Sequence, residues 1–248
     1  MRYEYRADPS PHLYISELLP ERGYERLRFP DELIDPDAEW GITSSDPAYE
    51  RVLTDPGWRA LHDRLRGAPF VHEVLDAFAD DLPREECLVE PGRARLTAFT
   101  ETRSDKQREM LAEGADPNEL YTRLDFQSKR EGAYREFVHL DWARRIVGGI
   151  LFFSDAEAEG LRGGELGLYR DRAFRNDRWC HEPELVVKYP PRHNTGVIFL
   201  NSNSGFHGPC RITALSGRRR WLYYTISSKA EVWPCAARAD REAGVEAA

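Results

Sequence analysis

His139 and Asp141, in the run Val138-His-Leu-Asp-Trp142, present an imidazole and a carboxylate two residues apart, a spacing that turns both side chains to one face of an extended strand. Alone, such a pair arises by chance and is often no more than a surface pair. A metal site needs a third ligand from a distant segment, and His207, in Asn203-Ser-Gly-Phe-His-Gly-Pro209, is the best placed of the remaining histidines. Two imidazoles and one carboxylate occupy one face of an octahedral Fe(II) and leave positions open for other ligands. The other histidines read more plainly. His181 beside Cys180 has nothing near it to complete a site, and His193 lies in a Pro-rich turn. His12, His62 and His72 read as packed or solvent-facing.

The elements that must hold these residues divide at about residue 90. Residues 1–90 read as a mostly helical support region: Asp55-Pro56 and Ala68-Pro69 put proline where a first helical turn tolerates it, and Ser45-Asp46-Pro47 starts another short helix. Phe70, Val71, Val74, Leu75 and Phe78 make an apolar helical face, whose plain role is packing. Residues 91–232 read as a core of short β-prone runs: 94–100, 120–127, 136–140, 146–154, 165–169, 185–187, 195–200, 211–213 and 221–227. So many short strands predict a double-sheet jelly roll. The charged segment 103–118 reads as a short helix or a lid, and residues 233–248 as a fraying tail. The whole is read as one domain, mainly β with a helical N-terminal part.

Order carries more than any single motif. After His139 come an apolar strand (Ile146–Phe153), then Gly163-Gly-Glu-Leu166, then Gly196-Val-Ile-Phe-Leu200 leading to His207, then Gly217 with a basic cluster, then an aromatic strand. In this order, over roughly residues 120–228, the sequence resembles the Fe(II)- and 2-oxoglutarate-dependent oxygenases of the prolyl-hydroxylase-like type. The resemblance implies a double-stranded β-helix with Fe(II) on His139, Asp141 and His207, 2-oxoglutarate as cosubstrate and O2 as oxidant. It also implies an arginine or lysine for the far carboxylate of 2-oxoglutarate, after the distal histidine. Arg218, Arg219 and Arg220 all lie in that window; alternation allows only one or two to face inward, and the family's Gly-x-Arg pattern ranks Arg219 ahead of Arg218. Where relatives place a tyrosine to help, this chain has Phe152 or Phe153, so another hydroxyl helps or none does; Tyr121 and Arg123 are candidates for that contact or for touching substrate, and are equally compatible with simple packing. Glu136, Trp142, Tyr224 and Trp233 are further candidates for touching substrate, Glu136 being equally suited to pair with a nearby arginine.

Asp141 fills the position that halogenases of this fold leave open with Gly or Ala, so hydroxylation of a C–H bond leads, with desaturation and ring formation open to the same chemistry. The substrate class expected is a small molecule, such as a free amino acid or a natural-product intermediate. Two other readings fit some of the same residues: a non-catalytic jelly-roll binding module, and a cupin-type metalloenzyme that does not use 2-oxoglutarate. A net charge of −8 argues against general affinity for nucleic acid, and no stretch approaches a membrane span. With 41% hydrophobic and 31% charged residues and no secretory leader in the N-terminal run, a soluble cytoplasmic protein is expected. The four cysteines are scattered and read as free thiols.

Overall fold

The computed structural model describes residues 1–35, 37–38, 41–102, 114–130, 137–173, 179–213 and 218–234. Its strands are β1 (Arg2–Arg6), β2 (His12–Glu17), β3 (Arg95–Leu96), β4 (Glu119–Lys129), β5 (Arg145–Phe152), β6 (Leu166–Asp171), β7 (Pro183–Tyr189), β8 (Gly196–Leu200), β9 (His207–Pro209) and β10 (Arg219–Ser228). Between β2 and β3 lie α1 (Glu21–Tyr24), α2 (Pro47–Val52), α3 (Pro56–Arg66), α4 (Ala68–Ala77) and α5 (Asp81–Arg84). One sheet has seven strands in the order β1-β2-β8-β5-β10-β4-β3 and the other has three, β7-β6-β9. The chain is thus mainly β, with a large, predominantly antiparallel sheet.

Period-two alternation gives the large sheet two different faces. Leu13, Ile15, Leu120, Leu124, Phe126, Val147, Leu151, Ile198, Leu200, Leu222, Tyr224 and Ile226 point one way, into a core shared with the helices. The helices meet them through two apolar stripes: Trp58, Leu61 and Leu65 of α3, and the stripe expected from the sequence, Phe70, Val71, Val74 and Leu75 of α4. Asp55 starts α3 by accepting the backbone N–H groups of Gly57 and Trp58 at 2.8 and 3.0 Å, the ordinary remedy for unpaired donors at a helix start. The opposite face carries Phe152, Val197, Phe199 and Trp221, which pack on Leu166, Leu168 and Tyr189 of the small sheet. The site lies on this second face.

Several expectations need correcting. Residues 2–17 are two strands at the edge of the large sheet, where a mostly helical region was expected. Residues 211–213 form no strand, and the short strand is β9 instead. Of the segment expected to be a helix or lid, 103–113 lies outside the described residues, as do residues 235–248 of the expected tail. Trp233, at the start of that tail, is fully buried. Cys87, Cys180 and Cys210 form no disulfide among the described residues, and Cys235 is outside them. No described helix is long and apolar enough to cross a membrane.

Candidate metal centre

His139 lies on an extended segment bridged on both sides. It exchanges backbone hydrogen bonds of 3.0 Å with His207 on β9 and also bridges Trp179. Residues directly opposed across antiparallel strands turn their side chains to one face, so His139, His207 and Trp179 share that face. Asp141, two residues on, joins it. Ligand atoms of His139, Asp141 and His207 all lie within 4.8 Å of one another. Asp141 Oδ1 is 3.7 Å from His139 Nε2, and its Oδ2 is 4.0 Å from His207 Nε2. These gaps are too long for hydrogen bonds and short enough for one ion to touch all three groups.

Neighbouring groups fix the orientation of each ligand. His207 Nδ1 donates to the Gly205 carbonyl at 3.0 Å, which leaves the Nε2 lone pair for a metal. The Asp141 N–H donates to Asn201 Oδ1 at 2.7 Å, and Asn201 Nδ2 donates to the carbonyls of Trp142 and Arg145, locking the turn after the His-x-Asp pair. The Tyr223 hydroxyl donates to Asp141 Oδ2 at 3.0 Å. Phe137 stacks on His139 with ring centroids 4.3 Å apart, and Phe199 packs on His207 at 4.2 Å. Gly148 makes room beneath: a Cβ there would fall 2.6 Å from the Phe199 ring and 3.4 Å from Asp141 Oδ2.

Burial pushes the Asp141 carboxyl up, but His139, His207 and Arg145 outweigh it and hold the group well below the usual carboxylate range. Burial, and then the neighbouring His139, push the His207 imidazole down to about 4 against the pull of Asp141. An ionised carboxylate beside a neutral imidazole is the state that metal binding requires. The donor set, two imidazoles and a carboxylate, fits Fe(II).

Alternation along β10 sorts the three arginines. Arg219 is buried on the inter-sheet face, its guanidinium 4.2 Å from the Trp221 ring centroid and 5.6 Å from that of Phe152. Its Nε donates to the Gly164 carbonyl at 2.6 Å, presented by a Gly163-Gly164 turn whose positive φ angles of 80° and 74° suit glycine. Arg218 and Arg220 go to the other side: Arg218 donates to the carbonyls of Asp31 and Ile34, and Arg220 to Asp31 and Glu159. This corrects Arg218 as a site candidate.

No family model matches the chain, and no curated protein matches it. Among solved structures it is similar to a prolyl 4-hydroxylase from Phytophthora capsici, with a TM-score of 0.41 and 17% identity, covering 82% of this chain and 55% of that one. It is also similar to an oxidoreductase of the 2OG-Fe(II) oxygenase family from Burkholderia pseudomallei, with a TM-score of 0.38 and 15% identity over 72% of this chain and 61% of that one. A third is a full-length protein from Neurospora crassa in complex with alpha-KG, with a TM-score of 0.34 and 14% identity over 85% of this chain and 65% of that one. The chain spans less than two thirds of the length of each of these proteins. Likeness at this level leaves the site to be read from its own geometry.

The remaining candidates scatter. Tyr121 pairs with Ser227 while Arg219 pairs with Lys129 at the other end of the same ladder, about 27 Å away at ~3.4 Å per residue, so Tyr121 does not share a ligand with Arg219. Arg123 lies on the site face but is bound into a buried ion network with Glu101 at 3.0 Å and Asp125 at 2.7 Å. Tyr224 faces the helices, edge-on to Phe70, and Trp233 is in the same core with its indole N–H on the Arg145 carbonyl. Neither reaches the face that carries His139, Asp141 and His207. Trp142 is half-buried next to Asp141, and Glu136 lies outside the described residues. Sequence reading missed Asn201, Tyr223 and Phe199, and also Trp179, which stands opposite His139 and is 50% exposed, with Phe137 at 44%. For Tyr223 a signal existed: once Arg219 faces inward, the residue four further along a strand faces inward too.

Proposed function

We propose that this chain is an Fe(II)- and 2-oxoglutarate-dependent oxygenase that hydroxylates an unactivated C–H bond of a small molecule, a free amino acid or natural-product intermediate being the leading class. The observation that carries the reading is the convergence of His139, Asp141 and His207 on the same sheet face that buries Arg219 between the two sheets. We read the two sheets as a double-stranded β-helix working as one catalytic unit, with the helices as its support.

In this reading Fe(II) is held by the two imidazoles and Asp141, and when bound it supplies the activation of O2 coupled to decarboxylation of 2-oxoglutarate. One oxygen atom goes to succinate, the other to the substrate hydroxyl, and CO2 leaves. The Arg219 guanidinium pairs with the far carboxylate of 2-oxoglutarate, a two-pronged contact suited to its planar fork. Phe152, Phe199 and Trp221 line the way between that arginine and the metal face with apolar surface that excludes water. Phe137 and Trp179, exposed beside His139, form the entrance wall that a small substrate meets.

The test is succinate formation from 2-oxoglutarate with added Fe(II), across a panel of free amino acids and small metabolites. His139→Ala, Asp141→Ala and His207→Ala are each expected to abolish iron binding and turnover while the metal-free proteins keep their fold. Turnover retained in all three overturns the reading. Bound iron without any succinate leaves a cupin-type metalloenzyme of another kind, and failure to bind metal leaves a binding module.

A further inference from the structure

Carboxylates hold metals through one oxygen or through both. For an enzyme that must admit a two-pronged 2-oxo acid and O2 beside three protein ligands, the difference matters, because a two-pronged aspartate closes a position that the reaction needs. The two oxygens of Asp141 have unlike surroundings. Each faces one imidazole, Oδ1 that of His139 across 3.7 Å and Oδ2 that of His207 across 4.0 Å, but only Oδ2 also accepts a hydroxyl, that of Tyr223 at 3.0 Å.

We propose that Tyr223 is a positioning residue for the metal-binding carboxylate: by donating to Oδ2 of Asp141 it leaves Oδ1 as the single metal-binding oxygen and keeps a coordination position open. This rests on the Fe(II) and 2-oxoglutarate reading above. The placement of Tyr223 is rigid, since it sits mid-strand on β10, paired with Asp125 on one side and Ile150 on the other. It shares its face with Arg219, so one strand carries both the anchor for the cosubstrate and the stop for the carboxylate. Gly148, beneath Asp141, has no side chain to do this.

Tyr223→Phe removes the hydroxyl and keeps the ring. The full chain, wild type and variant, is loaded with Co(II) in the presence of 2-oxoglutarate. Affinity is read by chelator competition and coordination by the visible d–d absorption. The variant is expected to hold Co(II) roughly tenfold less tightly, the scale of a hydrogen bond to a charged group. Its absorption is expected to shift toward a higher coordination number, with the melting temperature of the metal-free protein unchanged. A hydroxyl with a merely structural role would move the melting temperature and not the spectrum. Identical affinity and spectrum in the two proteins overturn the proposal and leave the functional reading standing. A wild-type protein that binds no metal overturns both.

Discussion

Two carboxylates by the same sheet, Glu101 and Asp141, have strongly positive or polar neighbours, and they end in opposite states. Glu101 is fully buried and closed on all sides: Arg145 reaches both its oxygens at 2.6 and 2.7 Å, Arg123 reaches it at 3.0 Å and Arg144 at 3.2 Å. Arg145 continues to Thr225 and Ser227 of β10, and Arg123 to Asp125. Asp141 sits one residue pair further along β10, yet it faces its two imidazoles across gaps of 3.7 and 4.0 Å and takes a single side-chain hydrogen bond, from Tyr223, among the described residues. A charge whose partners have closed on it belongs to the fold. A charge held in line by its neighbours but kept apart from them is available to a ligand.

Breaking Glu101 gives the largest expected effect. Glu101→Gln leaves buried guanidiniums without their counter-charge, and loss of one partner of a buried ion network costs about 3–5 kcal/mol. In a chain of this size that lowers the melting temperature by roughly 10 °C or more, measured by calorimetry without metal. Asp141→Asn, tested beside it, is expected to cost less than Glu101→Gln in the metal-free protein, because its imidazole neighbours stand 3.7 and 4.0 Å away and the amide oxygen can still accept the Tyr223 hydroxyl. Equal losses in the two variants would erase the distinction.

Acid probes the Glu101 network directly. Burial pushes the Glu101 carboxyl up, but Arg145, Arg123 and Arg144 outweigh it and hold it at about 2, against an ordinary 4.5. The unfolded chain therefore binds the proton first as pH falls. The network's contribution is complete above about pH 4.5 and drains as pH drops toward 2, a loss of about 3 kcal/mol. Denaturant unfolding of metal-free protein at stepped pH is expected to show this slope in the wild type and a shallower one in Glu101→Gln.

The convergence of His139, Asp141 and His207 was legible because a candidate metal site constrains residue types and a strand constrains their spacing. Glu101 was not legible: nothing in Thr100-Glu-Thr marks it, and its partners come from β4 and the start of β5. The misreading on β10 has a simpler cause. Arg219 and Tyr224 are an odd number of residues apart, so they lie on opposite faces, and facing Arg219 inward assigns the inner tyrosine to Tyr223. The N-terminal strands were missed although Arg2-Tyr-Glu-Tyr-Arg6 alternates; its charged, exposed side chains suit an edge strand, whose identity only its pairing with β2 reveals.

Within the basic cluster the same alternation separates the inward arginine from those that pack against Asp31, Ile34 and Glu159. Arg219→Met is expected to raise the 2-oxoglutarate concentration needed for half-maximal succinate formation by roughly thirty- to hundredfold, or about 2–3 kcal/mol. Arg218→Met loses only its bonds to the carbonyls of Asp31 and Ile34 and is expected to leave that concentration unchanged. The opposite result would place the inward register one residue earlier.

The smallest expected effect tests the two faces of β10 through adjacent tyrosines. Tyr223 donates to the Asp141 carboxylate, whereas the Tyr224 hydroxyl is buried with no hydrogen-bond partner among the described residues. A buried hydroxyl left unpaired costs free energy in the folded state, so removing it without changing the ring relieves that cost. The ring keeps its edge-on contact with Phe70, whose centroid is 5.6 Å away, and leaves no cavity larger than one oxygen. Tyr224→Phe is therefore expected to be neutral or stabilising by up to about 1 kcal/mol in denaturant unfolding, and silent in Co(II) affinity and in succinate formation. A loss of metal affinity in Tyr224→Phe would mean that the helix-facing side of the strand is coupled to the metal centre, and that the faces of β10 divide the work less cleanly than their side chains do.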